Sequence, residues 1–258
     1  MAGRLALLRL SELKLHEQVS EPLVLELMRE LERDGLQLDP IIVEGGQLTV
    51  LDGAHRVEAL KRLGARWVAS YIVDYSSEDV QLRSWAWLLS REPRGELGAL
   101  GLRRLEGQEP DRAYVLVCAS GRYAPREPAL DALSWAGALW RAHRLLSPLI
   151  SAFVTPEQAK GAGTCAYLEP LLPGKQGILK LASLGQRLPP KVTRHVIKER
   201  PVNIRYPLEE LRSESPKGLA ERPRFGRLPA GSWFRGRFYE EELLVALGDD
   251  KGQGARLS

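Results

Sequence analysis

Residues 49–64 read TVLDGAHRVEALKRLG. A β-prone run ends at Asp52, Gly53 permits a tight turn, and Val57, Leu60 and Leu63 then recur at helical spacing before Gly64. A strand tip, a glycine and a helix start in succession present backbone N–H groups at the positive end of a helix, where phosphate is stabilised. His55 and Arg56 add donors, and Asp52 is a hard oxygen ligand for a magnesium ion bridging phosphate oxygens. The same residues also suit a purely structural turn, with Asp52 capping the helix, Arg56 paired to a surface carboxylate and His55 satisfied and half-buried.

Outward from this stretch the pattern is α/β. LALLRLSEL is a first strand and LHEQVS a loop, and a helix opening at Ser20 carries Leu23, Leu27 and Leu31 at four-residue spacing before Gly35. IIVEGGQLTVL makes two β runs around Glu44-Gly45-Gly46, WVASYIVDY is another strand, and Ser77 opens a helix EDVQLRSWAWLLSR that turns Trp85 inward. EPRGELG then breaks the pattern, which sets a first domain at 1–94. Residues 95–212 continue with strands AYVLVCA, LISAFV and TCAYLEPL and helices PALDALSWAGALWRAHRLLS, TPEQAKGAG and GKQGILKLASLGQRLPP, the last closed by Gly185 and the Pro189-Pro190 pair, before an extended KVTRHVI. This is a second α/β domain. Residues 213–258 are rich in Pro, Gly and Arg and read as a basic, loosely held tail, with EEELLVAL forming a terminal helical turn.

Composition narrows the classes. The 258 residues are 44% hydrophobic and 27% charged, with no apolar run near the ~20 residues that span a bilayer, so a soluble protein is expected. Two cysteines, Cys118 and Cys165, are too few for a disulfide framework or a cysteine zinc site, which favours the cytoplasm. A net charge of +4 does not by itself demand nucleic acid. Arg outnumbers Lys, Asn203 is the only asparagine, and methionines number two; the shortage of thermolabile residues suits a thermophile, while GC-rich coding explains the arginine bias equally well.

The strand-D-G-x-H-R-helix element followed by EALKRLGA resembles the first domain of the ParB/sulfiredoxin superfamily. Sulfiredoxins need a cysteine between the glycine and the His-Arg pair; Ala54 stands there, which excludes their thiol chemistry. LKLHEQV at 13–19 and PKVTRHV at 190–196 bring the chain closer to the free L-serine kinases of archaea, in which an HEQ loop, a DGHHR turn, a tryptophan and a P-K-T-T-R-H-V run come in this order. The resemblance spans roughly residues 5–211.

What the resemblance implies is a transfer of phosphate from ADP or ATP, with Mg2+, to the hydroxyl of free L-serine, giving O-phospho-L-serine for cysteine synthesis. Glu17 falls on the family's catalytic glutamate, which accepts or orients the serine proton, a role that suits a carboxylate facing a high-pKa alcohol. Asp52 falls on the catalytic and magnesium-binding aspartate, and Gly53, Ala54, His55 and Arg56 on the phosphate cradle, where Ala54 replaces the family's first histidine. Trp85 matches a wall of the serine pocket, although an inward tryptophan is more often plain core. Thr193, Arg194 and His195 match the run placed against the substrate's carboxylate or phosphate, and in an extended segment Thr193 and His195 face one side while Arg194 faces the other. Lys191 adds positive field. The alternative is a ParB-like nucleotide-binding regulator of DNA, which requires a basic recognition helix; ALDALSWAGALWRAH is mostly apolar, so DNA contact would rest on the 213–258 tail.

Overall fold

The computed structural model describes residues 3–107, 111–163, 166–219 and 223–247. The chain forms two compact units, one of Met1–Leu13, Val19–Gln81 and Val196–Ser258, the other of Lys14–Gln18 and Leu82–His195. This departs from the expected domains 1–94, 95–212 and 213–258. Chain order is not spatial order here: the first unit takes in its last segment through pairing of Tyr206–Pro207 with Leu36–Gln37, and the second takes in residues 14–18 through backbone bonds to Leu188, contacts that local periodicity does not encode.

The first unit holds strands β1 (Gly3–Arg9), β2 (Ile41–Glu44), β3 (Thr49–Asp52) and β4 (Trp67–Val73), in spatial order β1-β4-β2-β3. β1 runs antiparallel to β4, β4 parallel to β2, and β2 antiparallel to β3. Two helices accompany the sheet, α1 (Glu21–Asp34) and α2 (Ala54–Arg62). In α1 the buried residues are Val24 and Leu31, with Leu27 half-buried and Leu23 39% exposed. The apolar stripe is therefore turned by about one residue from the expected leucine repeat. Gly35 ends α1 in the left-handed region, φ 65°, its N–H donating to the Leu31 carbonyl. The β2–β3 turn is tied by the Glu44 carboxylate, which accepts from the amides of Gly46 and Gln47.

Among its described residues the expected basic tail forms strands. Glu242–Ala246 pairs in parallel with Glu199–Val202 and antiparallel with Phe225–Leu228, and a hairpin of Ser232–Phe234 and Arg237–Tyr239 lies beside them in sequence. Val202, Tyr239, Leu243 and Val245 form the apolar core of this part. The run expected as a helical turn is a strand because both of its edges find partners, and pairing outweighs the intrinsic preference of a short Glu-Leu segment. Residues 248–258 and Cys165 lie outside the described residues.

The second unit is built on six antiparallel strands, β5 (Ala86–Leu89), β6 (Leu102–Arg104), β7 (Tyr114–Cys118), β8 (Gly121–Pro125), β9 (Ile150–Val154) and β10 (Ala166–Pro170), in spatial order β9-β5-β10-β7-β8-β6. Helices α3 (Ala132–Leu146) and α4 (Gly174–Ser183) complete the core, where Trp87, Leu116, Trp135, Leu139, Leu168 and Ile178 are buried together. Residues 78–91 were expected to form a helix and instead form strands Val80–Ser84 and Ala86–Leu89. Trp87 is fully buried, and β5 pairs on both sides with β9 and β10, so the sheet overrides the helical reading of its leucines. Asp131 caps α3 through a reciprocal capping box with Ser134. Because α3 buries Trp135, Leu139, Ala142 and Leu146, it is a core helix, not one free to enter a DNA groove. No described helix is long and apolar enough to cross a membrane.

Candidate active site

β3 delivers Asp52 to a turn made by Gly53, whose φ is +98°. A Cβ at Gly53 would lie 2.6 Å from the Ile41 Cγ2 atom, so the position demands glycine for both backbone and space. α2 starts at Ala54 with no side-chain cap on its first amides, the open end a phosphate-binding turn requires. The Asp52 side chain remains 41% exposed and does not cap the helix; its Oδ2 accepts from Arg200 Nη1 at 2.6 Å. Burial alone would raise the Asp52 carboxyl, but the charges of Arg200, Arg237 and Arg56 outweigh it and hold the group well below the usual carboxylate range. Arg200 holds this carboxylate directly, and the charges of Arg237 and Arg56 add to its effect.

The remaining residues of the turn have defined partners. His55 Nε2 accepts the Ser20 amide at 3.0 Å, which places the proton of a neutral imidazole on Nδ1. Of the two ring nitrogens, only Nδ1 can then donate to an anion. Ser20 occupies the cap position of α1, yet its hydroxyl makes no cap bond; its contribution is this backbone bond to His55. Arg56 Nη1 reaches the Pro40 carbonyl at 3.3 Å. Ala54, at the first helical position, supplies a backbone amide and no polar side chain.

A second cluster lies in the other unit, around Glu17. The HEQ loop is anchored by its backbone: the Leu188 amide donates to the His16 carbonyl at 2.8 Å and the Gln18 amide to the Leu188 carbonyl at 2.9 Å. Glu17 Oε1 then accepts from both the Thr193 amide and the Thr193 hydroxyl, each at 2.5 Å, while Oε2 accepts the Lys191 amide at a long 3.3 Å. Since a carboxylate only accepts, the Thr193 hydroxyl spends its proton on Glu17. It must in turn accept from His16 Nε2, 2.8 Å away, which fixes that nitrogen as protonated. The two motifs at residues 16–18 and 191–195 thus form one hydrogen-bonded unit.

Thr193 and His195 are buried, with the His195 and His16 rings in edge-to-face contact at 5.5 Å, whereas Arg194 is half-exposed, as extended alternation requires. Arg194 and Lys191 both lie over the Trp85 ring, 5.4 and 5.7 Å from its centre. Trp85 stands between two strands, not on a helix, and its amide is held by the Val192 carbonyl. Lys191 is in the left-handed region, φ 59°, unusual for a side chain of this kind. It is pinned there because its amide goes to Glu17 while its carbonyl accepts the Trp87 indole N–H at 2.8 Å.

Sequence reasoning missed Arg200, Arg237 and Glu241. No motif contains them, and Glu241 falls in the stretch read as a tail. Among the described residues no group of three or more His, Cys, Asp or Glu side chains is placed to hold a metal by itself.

No protein-family profile matches the chain. An ADP-dependent L-serine kinase of Thermococcus kodakarensis is 26% identical over 226 residues, covering 79% of this chain and 91% of that protein. An ATP-dependent L-serine kinase of Staphylothermus marinus is 35% identical over 74 residues, 27% of this chain and 29% of that protein. Among solved structures, a free serine kinase variant in complex with ADP aligns at TM-score 0.66 and 22% identity, covering 82% of this chain and 94% of the other. The fold is therefore that of the free serine kinases, a ParB-like α/β fold.

Proposed function

We propose that this chain, which has the ParB-like fold of the free serine kinases, is a nucleotide-dependent kinase that phosphorylates free L-serine. The observation that carries the reading is the Glu17–Thr193 contact: the one loop glutamate expected to be catalytic is fixed by two 2.5 Å bonds to the residue run expected to meet the substrate. Similarity to an L-serine kinase over 79% of the chain supports it.

In this reading the Asp52–Arg56 turn of the first unit takes the nucleotide phosphates on the uncapped amides of α2, with Arg56 and the Nδ1 side of His55 as further donors. Oε1 of Glu17 is committed to Thr193, so Oε2, with its single long bond to the Lys191 amide, is the oxygen that receives the serine proton. The serine oxygen forms a bond to the terminal phosphorus of ADP or ATP as the bridging P–O bond breaks, releasing AMP or ADP. Arg194, half-exposed beside Trp85, grips the substrate carboxylate or the new phosphate. Thr193 and His195, being buried, serve by holding the Glu17 loop.

Asp52 suits a magnesium ion that arrives on nucleotide phosphates, because such an ion needs only one or two carboxylates beside phosphate and water oxygens, and Asp52 is a half-exposed anion. When bound, the metal neutralises phosphate charge. The product, O-phospho-L-serine, would supply cysteine synthesis in the cytoplasm. The test incubates purified protein with magnesium, L-serine and either ADP or ATP. O-phosphoserine should form with at least one donor and fall about 100-fold or more in Glu17→Gln; no product above that control with either donor refutes the kinase.

A further inference from the structure

Arg200 and Glu241 belong to no motif, yet they hold the aspartate of the phosphate turn. Glu241 directly precedes the strand Glu242–Ala246, whose parallel register places Leu243 opposite Arg200. That register brings the Glu241 carboxylate to the guanidinium: Nε and Nη2 of Arg200 donate to Glu241 Oε1 at 3.1 and 2.9 Å. The third nitrogen, Nη1, donates to Asp52 Oδ2 at 2.6 Å.

Exposure distinguishes the two carboxylates. The side chains of Arg200 and Glu241 are 9% and 8% exposed, while that of Asp52 is 41% exposed. A buried guanidinium needs a counter-charge, and Glu241 alone supplies one. The second carboxylate it binds is the one that reaches solvent, at the strand tip next to an uncapped helix start. The guanidinium is planar, so fixing one edge on Glu241 fixes the direction in which Nη1 points.

We infer that Arg200 and Glu241 are positioning residues that hold the Asp52 carboxylate in place for phosphoryl transfer, which makes the segment after residue 213 part of the nucleotide apparatus. This rests on the reading of the Asp52 turn as a phosphate site.

The test is a double-mutant cycle in the full-length protein with Glu241→Gln, Asp52→Asn and the pair combined. Its readouts are kcat, the KM for serine, and the equilibrium Kd for magnesium-ADP, with thermal unfolding alongside. If Glu241 acts through Asp52, Glu241→Gln lowers kcat about tenfold or more with the serine KM within about twofold, and the double variant is no worse than Asp52→Asn. The Kd for magnesium-ADP should rise in both single variants without multiplying in the double. Glu241→Asp should recover part of the loss, and Arg200→Lys, which keeps the charge but not the planar fork, serves in place of Glu241→Gln should that variant fail to fold. Multiplying effects, wild-type behaviour of Glu241→Gln, or a loss that merely tracks the unfolded fraction overturns the inference. A wild-type protein that binds magnesium-ADP but makes no phosphoserine defeats the kinase reading while leaving the Kd cycle to decide on positioning. If wild type does not bind magnesium-ADP, the inference falls with the phosphate site.

Discussion

Replacing Thr193 by valine keeps the shape of the side chain and deletes only its hydroxyl. Two bonds disappear: the 2.5 Å donation to Glu17 Oε1 and the 2.8 Å bond from His16 Nε2. The first is charge-assisted and contributes roughly 1.5–3 kcal/mol; the second strips a buried nitrogen of its acceptor, which costs about 1–3 kcal/mol. The Thr193 amide still holds Glu17 Oε1, so the loop does not detach, and some of each loss is recovered by relaxation. A destabilisation of about 2–4 kcal/mol follows, together with a fall in kcat of about 10- to 100-fold from a carboxylate held less firmly, by backbone amides alone. Thr193→Ser restores the hydroxyl and should recover most of both. Urea unfolding measures the first quantity, and O-phosphoserine formation at saturating serine and nucleotide measures the second. A valine variant that turns over within twofold of wild type would show that the Thr193–Glu17 contact has no part in catalysis.

Gly53→Ala forces a side chain into φ +98° with its Cβ 2.6 Å from Ile41, so stability should fall by about 2–4 kcal/mol in chemical denaturation; a loss under about 0.5 kcal/mol would mean the turn is not as tight as drawn. His143 sits edge-on to Trp87 and Trp140, 5.6 Å from each, and burial holds its imidazole below the ordinary range. Its neutral form is favoured in the folded state, so its stabilisation is complete above the unfolded imidazole's pKa of about 6.5 and is lost as pH falls through the folded value. The urea midpoint of wild type should therefore drop more between pH 7 and pH 5 than that of His143→Phe; identical drops refute this. Ending the chain at Arg212 removes the strands Phe225–Leu228 and Glu242–Ala246 and uncovers Val202, now 1% exposed. The truncated protein should unfold at a markedly lower temperature or aggregate, whereas an unchanged Tm would restore the tail reading.

Local chemistry made much of the site legible. The turn at Asp52–Arg56 follows from a strand period, one glycine and a helix period in sixteen residues, and the structure places that strand, turn and helix where the pattern puts them. Alternation in Thr193–His195 correctly separates two buried side chains from Arg194. The helix expected over 78–91 failed because Trp87 and its neighbours satisfy either period, and only the flanking strands β9 and β10 decide between them. Arg200 and Glu241 were invisible for a related reason: an ion pair between residues 41 positions apart leaves no spacing to read.

Local sequence was enough for the strand-glycine-helix turn, the order of the motifs and the need for glycine at residue 53, since each depends on bonds and sterics among near neighbours. Tertiary structure alone decided that the proton of Thr193 goes to Glu17, that Asp52 is held by Arg200, and that the last segment belongs to the first unit. Those outcomes depend on which remote strands pair and which charges are buried together, and neither is encoded in any short stretch of chain.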